Sequence, residues 1–334
     1  MLTNYWFISP KYRQNSKLVL FTFALAFVVI LLGAYTRLTD AGLSCPDWPN
    51  CYGYITAPHT DAQLQGAAQV YPLVPVDVKK AWTEMTHRYF AGTEGILILI
   101  LSLSILFARK AKDLKSTFIA VGLIALLLVQ VMLGMLTVTK LLKPVIVLSH
   151  LLTGLSILSV LWWAYLDLHL RSTSQFANQS KPRWTPWIWL ALFIVAAQIT
   201  LGGWVSTHYA GLACVDFPYC NGRVLPDMQW NNLGGDLITI HMLHRIGAMV
   251  TAIYLGILSL FLLSHKSYRM SGIVILALII LQLSLGILNI VWLRPVWIAL
   301  LHQAVAIVLL LTIIATLVKS SFTLEKNHYA SRIT

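Results

Sequence analysis

Apolar residues fill this chain in long runs of about 20 residues. Eight runs stand out, near residues 18–36, 85–107, 116–139, 145–167, 186–207, 237–263, 270–292 and 296–318. About 20 apolar residues in a helix cross roughly 30 Å of hydrocarbon, so each run is long enough to span a bilayer. Lipid offers the backbone no hydrogen-bond partners, and each run therefore predicts an α-helix. The first follows a basic N-terminus, as a signal peptide would. It shows no small-residue cleavage site and reads as a retained first span.

The polar residues at the ends of these runs recur in one order, twice. GAYTRLTDAGLSCPDWPNC (33–51) matches GGWVSTHYAGLACVDFPYC (202–220) at an offset of 169. THR, ending at Arg88, matches LHR, ending at Arg245, at an offset of 157. QVMLG (130–134) matches QLSLG (282–286) at 152, the offset that also carries His150 onto His302. The offset falls after the first segment because the loop following Cys51 is longer than the one following Cys220. Four spans make an even number of crossings, so the two halves run in the same direction as a parallel repeat. The boundary falls in the polar, basic stretch RSTSQFANQSKPR (171–183). The expected architecture is an all-α integral membrane protein whose eight transmembrane helices form two parallel-repeat four-helix bundles, residues 1–175 and 176–334.

Composition agrees. With 58% hydrophobic and 11% charged residues, the 334-residue chain has too little polar surface to cover a soluble globule. The net charge of +12 does not point to nucleic acid, because the basic residues lie in short segments between spans. Placing the N-terminus inside puts Lys11, Arg13, Lys17, Arg109, Lys110, Lys112, Lys115, Arg171, Lys181, Arg183, Lys266, Arg269, Lys319, Lys326 and Arg332 on the cytoplasmic side, a majority of the 24 Lys and Arg. Both termini are then cytoplasmic. The Trp residues near span ends, among them Trp82, Trp162, Trp163, Trp184, Trp187, Trp189, Trp292 and Trp297, read as interfacial anchors.

Four histidines share one depth. His87 and His244 open spans two and six, and His150 and His302 lie within the first two turns of spans four and eight. All four spans run from outside to inside, so each half offers an imidazole pair from two helices in the outer part of the bilayer. Haem iron takes axial imidazoles from opposite faces of its ring, with small residues where the macrocycle lies against helices. A single intramembrane His is more often a hydrogen-bonded packing residue. Four at matched depth in a twofold repeat reverse that preference. Gly134, Gly286 and Gly154 share helical faces with Gln130, Gln282 and His150 and either clear room for a ring or serve helix packing. Arg88 and Arg245 either pair with haem propionates or snorkel to the interface. His59, His169, His208, His265 and His328 carry no expected role.

The halves differ at one place. Glu84 lies one turn outward from His87, whereas His241 stands there in the second half. A carboxylate at that boundary is either solvated and inert or retained for chemistry. The four cysteines make two pairs, Cys45 with Cys51 and Cys214 with Cys220, in the expected outer loops, where disulfides persist. A structural clip is the plain reading, zinc lacks further close ligands, and a redox role for the first pair stays open.

Eight spans in two halves, EMTHR at 84–88, His150, HR at 244–245, His302 and two outer Cys-x5-Cys loops together resemble haem A synthase of the cysteine-containing bacterial type, from about Leu18 to Val318. The resemblance implies an oxidoreductase of the bacterial inner (plasma) membrane. It would act on a CH group of haem O, oxidising the C8 methyl to a formyl group to give haem A for terminal oxidases. It also implies haem O between His87 and His150, with Glu84 as the essential acid, and a resident haem b, with its iron, between His244 and His302. Its implied partners are haem O, the haem O synthase that delivers it, an electron acceptor and membrane lipid; a homo-oligomer is compatible with this. His241 competes with His244 as ligand, and the Arg that follows His244 favours the latter. The alternative is a bis-histidine membrane cytochrome b that moves electrons without a substrate haem. A transporter would set its polar groups at mid-membrane on broken helices, whereas these line the outer edge.

Overall fold

A computed structural model describes residues 10–107, 114–173, 182, 184–232 and 234–321. Within them the chain forms nine α-helices: α1 (Pro10–Leu38), α2 (Asp61–Val70), α3 (Val78–Leu106), α4 (Leu114–Thr139), α5 (Pro144–Thr173), α6 (Thr185–Thr207), α7 (Leu237–Leu263), α8 (Arg269–Val291) and α9 (Val296–Ser320). Among the described residues there is no strand, only isolated bridges from Cys51 to Tyr54 and from Cys220 to Arg223. All helices except α2 are long and apolar enough to cross a membrane, which makes this a multi-pass membrane protein. Their outward surfaces are hydrocarbon, with Phe21, Phe118, Phe193, Ile257 and Ile280 all exposed. Arg109, Lys110, Lys112, Lys181, Arg183, Lys326, Arg332 and His328 lie outside the described residues, as does most of the expected 171–183 boundary.

Helix α1 packs against α3 and α5, and α4 packs against the same two. Further along the chain, α6 packs against α7 and α9, and α8 packs against those two. Contacts of α5 with α6 and α9, and of α1 with α9, join the two sets. Helix α9 belongs to both interiors: Leu310 and Ile313 pack with Leu255 and Ile275, while Ile307 and Leu311 pack with Leu158 and Leu161. Trp162 Nε1 donates to the Leu311 carbonyl at 2.9 Å and its ring stacks on Phe23. Trp184 packs edge-on against Tyr268. These two rings therefore join helices, in contrast to their expected role as interfacial anchors. Trp187, Trp189, Trp292 and Trp297 are exposed as expected.

Two further expectations need revising. Span two begins at Val78 and not near 85, because Asp77 caps it by accepting from Lys80 N–H at 3.0 Å. His87 consequently lies more than two turns inside the helix. The longer loop after Cys51 also contains α2, started by a Thr60–Gln63 capping box. The α4–α5 and α8–α9 connections are short. They bring the chain back so that His150 and His302 each lie six residues past the first residue of their helix.

The α7–α8 hairpin is tight at Gly272, where an added Cβ would stand 2.7 Å from the Ser259 carbonyl oxygen. Backbone cannot move aside as a side chain can. Gly272→Ala is expected to cost about 1–3 kcal/mol and lower the thermal midpoint in detergent. Gly256→Ala, which meets nothing within 4 Å inside α7, should not lower that midpoint, and equal midpoints for the two variants would refute this account.

Candidate functional site

The four histidines converge in two pairs. The rings of His244 and His302 lie 6.4 Å apart, centre to centre, at 81°. At that separation both can hold one metal atom, each through a nitrogen at about 2 Å. His87 and His150 occupy the matching positions on α3 and α5 of the other set of helices. Each imidazole leans on a glycine of a neighbouring helix. A Cβ added at Gly33, Gly134, Gly202 or Gly286 would approach Cε1 of His87, His150, His244 or His302 to 2.9, 3.3, 3.0 and 3.2 Å respectively. Gly33 and Gly202 come from α1 and α6, so four helices build each pair's surroundings. Gly154 faces Gln130, not a ring.

Several polar atoms around these rings are buried and without hydrogen-bond partners: Nδ1 of His87, His150 and His302, and Oε1 of Gln130, Gln198 and Gln282. Buried polar atoms are nearly always satisfied, so a cluster of orphans marks a place built for something else. Imidazole nitrogens with glycine-lined flanks are the donor set and the cradle that a haem requires. Among the described residues no three His, Cys, Asp or Glu gather as a compact metal site.

Beyond the histidines toward the loop side, both disulfides form, Cys45–Cys51 and Cys214–Cys220. Each closes a loop of one design. Asp47 accepts from Tyr52 N–H (2.6 Å) and Gly53 N–H (2.8 Å); Asp216 accepts from Asn221 N–H (2.7 Å) and Gly222 N–H (2.8 Å). Those N–H groups of Gly222 and Asn221 hold the Asp216 carboxyl below the usual carboxylate range. Gly53 and Gly222 both have positive φ, at 81° and 78°, where other residues are strained. Neither aspartate was singled out from sequence, although C-x-D-x-P-x-C-x-G stands in both halves.

The two arginines hold these loops. Arg88 Nη1 donates to the carbonyls of Asp47 (3.0 Å), Pro49 (3.2 Å) and Asn50 (2.6 Å). Arg245 donates to those of Tyr219 (2.8 Å), Cys214 (3.1 Å) and Asp216 (3.0 Å). Arg245 Nε stays buried and unpartnered. Glu84 is 3% exposed, which excludes the solvated alternative. Its Oε1 pairs with Arg88 Nη2 at 2.5 Å and its Oε2 accepts from Cys45 N–H at 2.9 Å. His241 is also buried, with Nδ1 2.8 Å from the Ala210 carbonyl oxygen, on the loop side of the His244–His302 pair.

Residues 16–314 match the COX15-CtaA family, described as cytochrome oxidase assembly protein. This chain belongs to that family. It is similar to proteins of the same family named heme A synthase: 38% identical to that of Shewanella oneidensis over 337 residues, covering 96% of this chain and 100% of the other. It is 29% identical to that of Ehrlichia ruminantium (strain Gardel), covering 84% and 86%, and 27% identical to that of Rhizorhabdus wittichii, covering 90% and 92%.

The arginine clamps make a crossed test. Arg88→Ala is expected to speed reduction of Cys45–Cys51 by a water-soluble phosphine several-fold while leaving Cys214–Cys220 unaffected, and Arg245→Ala should do the reverse. Mass spectrometry of alkylated peptides reads both bonds, and an effect on the wrong loop would contradict the clamp.

Proposed function

We propose that this chain is a haem A synthase, an oxidoreductase that converts the C8 methyl of haem O to the formyl group of haem A. Membership of the family and the relatives' name support the activity. The observation that supports a haem site in this chain is the set of buried, glycine-backed imidazoles, of which His244 and His302 lie ring to ring at 6.4 Å. We assign haem O to His87 and His150 and a resident haem b to His244 and His302. The two sets of four helices are then two parallel bundles, divided near residue 175. The basic bias places both termini in the cytoplasm and the disulfide loops outside a bacterial inner membrane.

Glu84 supports the assignment of substrate to the first pair, because the second half has only His241 in that place. Oxidising a methyl to an aldehyde releases protons, and a carboxylate close to the substrate edge can take one at Oε1 or Oε2. The bonds from Arg88 and Cys45 N–H fix where those oxygens point, and burial keeps bulk water from competing. Arg88 thus orients the acid and holds the loop, and the unpartnered Nε of Arg245 is the atom it has left for a propionate. Bound between His244 and His302, haem b would supply a one-electron redox centre. Haem O synthase as donor and an electron acceptor complete the reading.

Glu84→Gln keeps the size and the Cys45 N–H bond but removes the negative charge. Coexpressed with a source of haem O, this variant should retain bound haem and form less than about a hundredth of the normal haem A, the scale of losing an acid–base group. Chromatography of extracted porphyrins measures it; undiminished haem A would remove Glu84 from the chemistry, and haem b alone in the unmutated protein would favour a plain cytochrome b.

A further inference from the structure

Glu94 has no part in the chemistry assigned above. It lies on α3 seven residues past His87, two turns deeper into the span. A spacing of seven keeps it on the His87 face of the helix, about 10 Å inward at 1.5 Å per residue. That face is the inner one: Ile98 and Leu101 continue it and are buried, whereas Ile96 and Ile100 on the other side are exposed. Glu94 itself is partly buried and makes no hydrogen bond or ion pair among the described residues. A carboxyl group at that depth is costly without a partner, so an intramembrane one points to a functional site.

The second half has no counterpart. The offset of 157 puts Thr251 at this position, and its hydroxyl donates to the Gly247 carbonyl of its own helix at 2.7 Å. The wall opposite differs as well. Helices α1 and α3 run antiparallel, and the approach of Gly33 to His87 sets their register, so Ala26 of α1 stands level with Glu94. Ala26 packs in one cluster with Ile98 and Leu101. The offset of 169 puts the larger Val195 in the place of Ala26. The first half thus sets an acid beside a small residue, and the second a self-satisfied hydroxyl beside a branched one.

We propose that Glu94 is the specificity-determining residue of the first haem site, its carboxyl group bonding the side-chain hydroxyl that haem O has and haem b lacks. The proposal rests on the assignment of haem O to His87 and His150. Haem O carries a hydroxyethylfarnesyl group where haem b has a vinyl, on the rim of the ring opposite the two propionates. With the charged propionates at the polar loop side, that hydroxyl lies at the inward rim, on the way from His87 to the depth of Glu94. The C8 methyl shares its pyrrole with a propionate and so stays on the outer side, toward Glu84. A carboxyl group accepts from a hydroxyl whether or not it is protonated. Haem b offers only a vinyl there and would leave the acid unpaired, and a site built to bond a hydroxyl rejects an analogue without one. Thr251, whose hydroxyl is already bonded, makes no such demand in the second half.

The test uses the full-length protein in detergent with His244→Ala, stripped of haem, so that only the first pair binds. Titrations followed at the Soret band give its affinities for haem O and haem b. Glu94→Leu should weaken haem O about fivefold to a hundredfold, the scale of leaving a buried hydroxyl unpaired, and bind haem b no more weakly. Glu94→Gln can still bond the hydroxyl and should keep most of the preference. In a His87→Ala background, Thr251→Glu with Val195→Ala should give the second site a preference for haem O, a gain that misfolding cannot mimic. Equal weakening of both haems by Glu94→Leu would make the residue a structural one and overturn the proposal. So would a Glu94→Gln protein, otherwise unmutated, that binds haem O normally yet forms no haem A, the mark of a proton carrier. Haem O binding that survives His87→Ala with His244→Ala would instead overturn the substrate assignment beneath it.

Discussion

Hydrocarbon cannot hydrogen-bond, so a polar side chain on a membrane-spanning helix has to be satisfied inside the protein or at its ends. That constraint shapes everything on the loop side of this molecule. Arginine, glutamate and aspartate are bonded there to the loops: Arg88 with Glu84 and three loop carbonyls, Arg245 with three more through its terminal nitrogens, and Asp47 and Asp216 with paired N–H groups. Against that economy the unpartnered imidazole and amide atoms between the helices stand out. They are the groups to which the fold gives a position without a partner, as binding sites require.

The same frame is used twice with different contents. A glycine under each imidazole, a disulfide loop stapled by an aspartate and an arginine behind each pair: these are common to both halves. The differences are few and gather at the rings. Glu84 corresponds in the repeat to His241, and Val29 to Gln198. The proposed division into a site for conversion and a site for retention starts from that carboxylate, which only one half carries. The halves meet through α9, whose side chains enter both interiors, and through Arg37, which donates to the Ser206 carbonyl at 2.8 Å.

The eight spans, the histidines and the cysteine pairs were legible in the sequence because each has a strong local signature: length of apolar run, position in that run, spacing within a loop. Glu84 was legible as a difference between halves, but its burial was not, since either a wet or a dry carboxylate suits a helix end. The arginines were read for charge alone. Their partners are backbone carbonyls about 40 residues away in one half and about 30 in the other, and a carbonyl carries no residue identity to search for. Gln198 escaped because nothing along an apolar span marks which polar side chain meets a histidine across the bundle, as it does at 3.0 Å from His244 Nδ1.

The amino-acid sequence by itself determined the number of crossings, their duplicated order and which side chains share a depth, because hydrophobic length and helical rise are local properties. Only the tertiary structure decided that the His244 and His302 rings face each other, that Glu84 is dry and that glutamine amides reach His244 and His302. Those outcomes depend on helix rotation and on contacts a few ångströms across, set by glycine and backbone positions from other helices.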